Sequence, residues 1–317
     1  MNQALLNIAL FVLFFHSLKG ENKVPLNCET AQNSSRVVVA GGSITEIIYF
    51  LNSEEKIVAL DVTSNYPEKA KELPSIGYVR NLSAEGILSM NPSIVFGEDD
   101  MGPPGVIKQL RDINIDLRII PEEKTIDGIL DKIYCIASII DKLPNAESKI
   151  NSTLIPDILS IEKRLSTSTL IPKRVMFIFS IKGNKIIVAG SGTSGDGFIK
   201  MTGSENIFGT IEGWKSVSQE AVIKENPDYI IMSQRDLHNS ETIKSISENP
   251  IFKNIKASKE GNFIFDDAMA MLGYGPRTIK SVLNAINTMF ELKIPLNESA
   301  FYDAYIFLDV VPNTRYD

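Results

Sequence analysis

Bond-making chemistry needs side chains that hold a proton, a metal or a nucleophile, and this 317-residue sequence has few of them at telling spacings. Its histidines are His16 and His238, and its cysteines are Cys28 and Cys135. An exported serine hydrolase would have to pair Ser191 or Ser194 with His238, yet neither serine sits in a Gly-x-Ser-x-Gly elbow. Gly190, Gly192 and Gly195 stand in Gly-x-Gly-x-x-Gly order. That run lacks the Gly-Lys-Ser/Thr ending of a phosphate loop, and no strand with an acidic end follows at dinucleotide spacing. It reads instead as a strand-to-helix turn with close backbone packing. A structural zinc site would need His16, which lies in an N-terminal leader. Cys135 falls in an apolar helical pattern, where a buried free thiol is the ordinary state, although an oxidising compartment would permit a bridge to Cys28. These residues point to binding rather than catalysis.

The leader is the run from Ala4 to Phe15, apolar except for Asn7 and too short to span a bilayer. It fits a signal peptide over residues 1–20. Cys28 follows Val24, Pro25, Leu26 and Asn27, which is not the order of a lipidation box, so a soluble monomeric mature protein is expected. The net charge of −7 repels nucleic acid, and the 44% hydrophobic content permits a normal core.

The elements that must position a site begin with the Val-rich run from Arg36 to Ala40, followed by Gly41 and Gly42. Ser43 and Glu46 have capping-box spacing and predict a helix start. A strand, a glycine turn and a helix in that order make an α/β unit. Apolar spacing predicts a helix from Thr125 that Pro144 ends, then a second helical stretch kinked or restarted at Pro156.

An internal repeat is more informative. Ser83, Glu85, Ile87, Leu88, Asn91 and Pro92 match Ser218, Glu220, Val222, Ile223, Asn226 and Pro227 at one constant offset. Each copy reads as a short capped helix, an Asn-Pro stop and a strand. The expectation is two α/β lobes joined by a long inter-lobe helix, with a ligand cleft between them. The N-terminal lobe spans 36–144, the linker 145–171, the C-terminal lobe 172–292 and a tail 293–317. Ligands of open α/β sheets sit beyond the carboxyl ends of the strands, so the segments 97–104 and 233–239 are expected to face that cleft.

Gly77-Tyr78-Val79-Arg80-Asn81-Leu82 resembles the haem-binding proteins of bacterial haem ABC importers, which share the fold class of the vitamin B12-binding protein. Supporting segments begin at Gly41, Thr63, Leu73, Glu98 and Leu272, and the likeness covers roughly residues 36–291. The resemblance implies a periplasmic protein that captures haem and passes it to a membrane permease. It implies that Tyr78 is the axial ligand to haem iron. Ferric iron is a hard cation, and tyrosinate is a known haem ligand. A phenol ionises near pH ~10, so it needs iron or a guanidinium beside it. The resemblance assigns that guanidinium to Arg235. Arg80 is a candidate for a haem propionate, since Arg grips carboxylates in bidentate fashion, or it pairs with a carboxylate such as Glu85. Some relatives add an axial His after the first strand of the second lobe; here Phe179, Ser180 and Ile181 stand there, so one protein ligand is expected. Glu85 and Glu220 resemble the pair that docks on permease arginines, and they also suit helix starts. A corrinoid or a ferric siderophore is the alternative ligand, and the hydrolase is the alternative from another class.

Overall fold

The computed structural model describes residues 28–166, 171–182, 185–233 and 252–290. Residues 1–20, where a signal peptide is expected, together with Arg235, His238 and residues 293–317, lie outside the described residues. The chain divides into two compact units, and the break falls between Pro156 and Asp157. Residues Leu272–Ile279 belong to the first unit although they follow most of the second in sequence.

In the first unit the Val-rich run becomes β1 (Val37–Ala40), buried along its whole length. An unbroken apolar run is what a parallel strand covered on both faces requires. It leads to α1 (Gly42–Phe50), β2 (Ile57–Leu60), α2 (Ala84–Ser89), β3 (Ile94–Gly97), α3 (Pro104–Asp112) and β4 (Leu117–Ile119). All four strands are parallel, in the order β2-β1-β3-β4. Val38, Ala40 and Val95 pack with Ile87 of α2 and Leu110 of α3 to form one face of the core. Burying each large aliphatic side chain contributes roughly 1.5–3 kcal/mol.

The helical stretch differs from expectation in how its prolines act. α4 (Ile126–Ile139) is capped by Thr125, whose hydroxyl accepts from the Gly128 amide at 2.9 Å. It ends at a left-handed residue, Asp141 (φ 57°), and not at a proline. Pro144 instead lies in the first turn of α5 (Leu143–Lys149), where its missing N–H has no partner to lose. A π-turn over Ile150–Leu154 then leads directly into α6 (Ile155–Leu165). Pro156 cannot donate to the Ser152 carbonyl, and the wider turn before it lets the helix run on without a break.

Cys28 and Cys135 form a disulfide across a sequence separation of 107 residues, which corrects the free-thiol reading. Periodicity places Cys135 on the buried side of a helix but cannot place Cys28 beside it. Closing a loop of that length contributes about 4–5 kcal/mol in the chain-entropy account. The Cys28 sulfur so bonded has no valence left for a lipid thioether.

The second unit contains β5 (Arg174–Lys182), β6 (Lys185–Ala189), α7 (Ser194–Met201), β7 (Glu205–Asn206), β8 (Trp214–Val217), α8 (Gln219–Glu225), β9 (Tyr229–Ser233), α9 (Lys256–Glu260), β10 (Phe263–Asp266) and α10 (Ala268–Leu272). α11 (Pro276–Met289) starts in the first unit and ends in the second. The strand order is β10-β9-β5-β6-β8, with β7 also pairing β5. β9 lies parallel beside β5 as β3 lies beside β1. On the other side of β5 the antiparallel strands β6 and β8 replace the parallel β2 of the first unit. The repeat is visible in the backbone: Asn91 and Asn226 are both left-handed (φ 49° and 45°), and each closes its helix just before a proline.

Candidate ligand-binding site

The order β2-β1-β3-β4 means that the chain winds one way from β1 and the other way from β3. Loops leaving the carboxyl ends of β1 and β3 therefore diverge, which opens a crevice at that edge of the sheet. Three loops gather there, following β1, β2 and β3.

The loop carrying Tyr78 is held from both sides. Ile76 donates to the Leu60 carbonyl (2.8 Å) and Val62 to the Gly77 carbonyl (2.9 Å), which extends the edge of β2. Farther on, Gly102 donates to the Val79 carbonyl (2.9 Å) and Leu82 to the Gly102 carbonyl (3.0 Å), which ties the loop to the segment after β3. Gly77 turns between these anchors at φ 97°, a conformation that other residues rarely adopt. Ile76, Val79 and Leu82 are buried, whereas Tyr78 keeps 44% of its surface. The loop is thus fixed by its apolar residues, and the phenol is presented to solvent.

Arg80 pairs with Asp100 at 2.7 Å, not with Glu85, and remains largely exposed. The Asp100 hydrogen bond raises the guanidinium pKa; burial opposes this, and Asp100, Tyr78 and Glu98 add to the rise through charge.

Beneath this edge lies a charged network that sequence reading missed. The Lys132 ammonium, on α4, is fully buried and donates to the Ser43 hydroxyl (2.6 Å) and the Glu122 carboxylate (2.6 Å), with Glu98 at 3.9 Å. Ser43 donates to Glu98 through both its amide and its hydroxyl. A side chain on Gly41 would collide with Glu98, its Cβ falling 2.5 Å from the carboxyl carbon. Burial pushes the Glu98 carboxyl up to about 7; Lys132 and Ser43 oppose that rise, while Glu122 and Asp100 add to it. The sequence signal was available: Lys132 lies on the stripe defined by Ile129 and Ile136, and a charge there demands a buried partner.

Ser43 and Glu46 do not form a capping box. α1 starts from Gly41 with no side-chain cap. Glu46 is buried and binds Arg277 instead, accepting from its backbone amide and its Nε, each at 2.8 Å. The guanidinium lies 3.7 Å from the centre of the half-exposed Tyr66 ring. A bond between residues 231 positions apart outcompetes a local cap here. The other expected caps do form: Ser83 accepts from Gly86 (3.0 Å) and Ser218 from Ala221 (3.2 Å). Glu85 and Glu220 are exposed in matching first turns. The Glu220 carboxyl is held below its usual pKa by its own backbone amide and by Ser218.

The glycine run is the strand-to-helix turn that was expected. The Ser191 hydroxyl donates to the Ile211 carbonyl (3.2 Å), and Thr193 caps α7. Among the described residues no cluster of three metal-ligating side chains occurs. No described helix is long and apolar enough to cross a membrane.

A model of the periplasmic binding protein family matches residues 37–270. The chain belongs to that family. Among solved structures it resembles the periplasmic heme-binding protein RhuT from Roseiflexus sp. RS-1, with 30% identity, a TM-score of 0.73, and coverage of 82% of this chain and 99% of the other. It is 28% identical to the vitamin B12-binding protein of Yersinia pestis (strain Pestoides F), over 64% of this chain and 71% of that one. It is 23% identical to the ABC transporter substrate-binding lipoprotein YvrC of Bacillus subtilis (strain 168), over 78% and 77%. The chain is a binding protein of the ABC-importer type, and these relatives are substrate-binding proteins rather than enzymes.

Proposed function

We propose that this periplasmic binding protein captures haem and delivers it to the membrane permease of an ABC importer. The observation that carries the reading is Tyr78: a half-exposed phenol on a braced loop, at the carboxyl edge of a parallel sheet. An anionic oxygen is a suitable ligand for ferric iron, and tyrosinate is a known haem ligand. Haem is the cargo here and not a resident cofactor. Arg80 would bind a propionate, exchanging part of its contact with Asp100 for the carboxylate of the ligand. Arg235, outside the described residues, would place a guanidinium near the phenol. Similarity to RhuT at 30% identity supports the same ligand.

Glu85 and Glu220 would dock the two units on the permease. Their matched position, each one residue into a capped helix, supports a partner with two-fold symmetry.

A corrinoid is the second reading, favoured by the 28% identity to a vitamin B12-binding protein. Titration with haemin and, separately, with cyanocobalamin decides between them. The expected result is haemin binding with a tyrosinate-type absorption spectrum that Tyr78→Ala abolishes. An unchanged Tyr78→Ala spectrum and affinity would refute the axial assignment, and binding of cyanocobalamin alone would replace haem by a corrinoid.

A further inference from the structure

Within the first unit, the Tyr78 loop is bonded to the segment after β3, and that segment is itself bonded to the body of the unit. The first link has three parts. Gly102 exchanges backbone bonds with Val79 and Leu82, Arg80 pairs with Asp100, and the buried Met101 packs in one cluster with Ile76, Val79 and Leu82. Glu98 makes the second link. Its amide donates to the Ala40 carbonyl (3.1 Å), and its carbonyl accepts from Met101 (2.9 Å), which turns the chain toward Gly102. Its side chain fills the space over Gly41, keeps only 16% of its surface, and accepts from the Ser43 amide (3.2 Å) and hydroxyl. That hydroxyl in turn accepts from the buried Lys132 ammonium at 2.6 Å.

The other support of the Tyr78 loop bypasses Glu98. Asp61 accepts from the Gly41 and Thr63 amides (2.9 Å each) and so fixes the loop after β2, from which Val62 donates to the Gly77 carbonyl. Losing the Glu98 carboxyl would loosen one side of the Tyr78 loop without releasing it. A metal bond is stricter about geometry than an apolar contact, so a loosened loop weakens the iron–phenolate bond first. The loop must then be ordered at the moment of binding, which costs affinity.

We infer that Glu98 is a positioning residue for Tyr78: by anchoring the segment after β3 on Ser43, it holds the phenol where ferric iron would bond to it. This inference rests on the haem reading above and extends it to a residue that acts through Tyr78. Haemin titrations over a double-variant cycle test it. Glu98→Ala is expected to weaken haemin about 10-fold, the low end for a group that supports a metal ligand. It is also expected to move the spectrum of the haemin-saturated protein toward that of Tyr78→Ala. Glu98→Gln keeps an acceptor for Ser43 and is expected to restore native affinity and spectrum. In a Tyr78→Ala background, Glu98→Ala is expected to change haemin affinity less than about twofold, because the bond it supports is already gone. Ser43→Ala removes the hydroxyl between Glu98 and Lys132 but keeps the amide; a smaller loss with the same dependence on Tyr78 is expected. That variant carries the test if thermal unfolding shows that Glu98→Ala does not fold. An equal loss in both backgrounds, or a native spectrum and affinity for Glu98→Ala, overturns the positioning role alone. A Tyr78→Ala variant that binds haemin as the native protein does overturns the axial assignment, and the positioning role with it.

Discussion

Glu98→Gln tests the buried network quantitatively. The carboxyl pKa rises from 4.5 to about 7 in the folded protein, because burial disfavours the charge more than Lys132 and Ser43 favour it. Between those two values the folded protein holds a proton that the unfolded chain has released. Stability is therefore fully present below pH ~4.5, falls as pH rises through about 7, and is level above that. A rise of that size corresponds to about 3 kcal/mol. For a unit of this size, that is about 6–12 °C in Tm. Glutamine keeps the acceptor for Ser43 but cannot ionise, and Lys132 retains Glu122 at 2.6 Å, so no buried cation is left alone. The variant is expected to match the native protein at pH 5 and to exceed it by about 2–3 kcal/mol at pH 8. Asp196 and Asp228 do not interfere. Burial raises both, but hydrogen bonds from Lys200 and Lys256 among others hold them below the usual carboxylate range, so they act at lower pH. Urea unfolding of the ligand-free proteins at half-unit steps from pH 5 to 8 gives the two slopes. Equal slopes would refute the reasoning, since the pH dependence would then arise elsewhere.

Two further predictions concern the clasp and the docking surface. Cys28→Ser or Cys135→Ser is expected to lower stability by about 4–5 kcal/mol, and the native protein is expected to show no free thiol until it is reduced; thiol labelling and unfolding curves check both. Charge reversal at Glu85 and Glu220 together is expected to leave haemin affinity within twofold while removing uptake through the permease in reconstituted vesicles, since both carboxylates are exposed and outside the Tyr78 loop; unaltered uptake would count against docking.

Much of the architecture is legible in local sequence because local physics decides it. A four-residue Val-rich run must be buried on both faces, so it makes a central parallel strand. A serine two residues before a glutamate and an Asn-Pro eight residues on fix a capped helix and its stop, twice, and so supply two related lobes. Tyr78 was singled out by the family resemblance of its segment; the structure adds how Gly77 and the buried Ile76, Val79 and Leu82 hold its loop. Tertiary structure alone decided which polar groups meet. Glu46 had a local cap within reach and took Arg277 across 231 positions, because a buried carboxylate gains from a guanidinium while the buried Ser43 amide donates to Glu98 instead. Arg80 found Asp100 rather than Glu85, Cys28 found Cys135, and Lys132 found Glu98 and Glu122, each through chain closure that no spacing rule encodes. Pairings of this kind depend on where distant segments come to rest, so the sequence determines which residues need partners and the fold determines which partners they get.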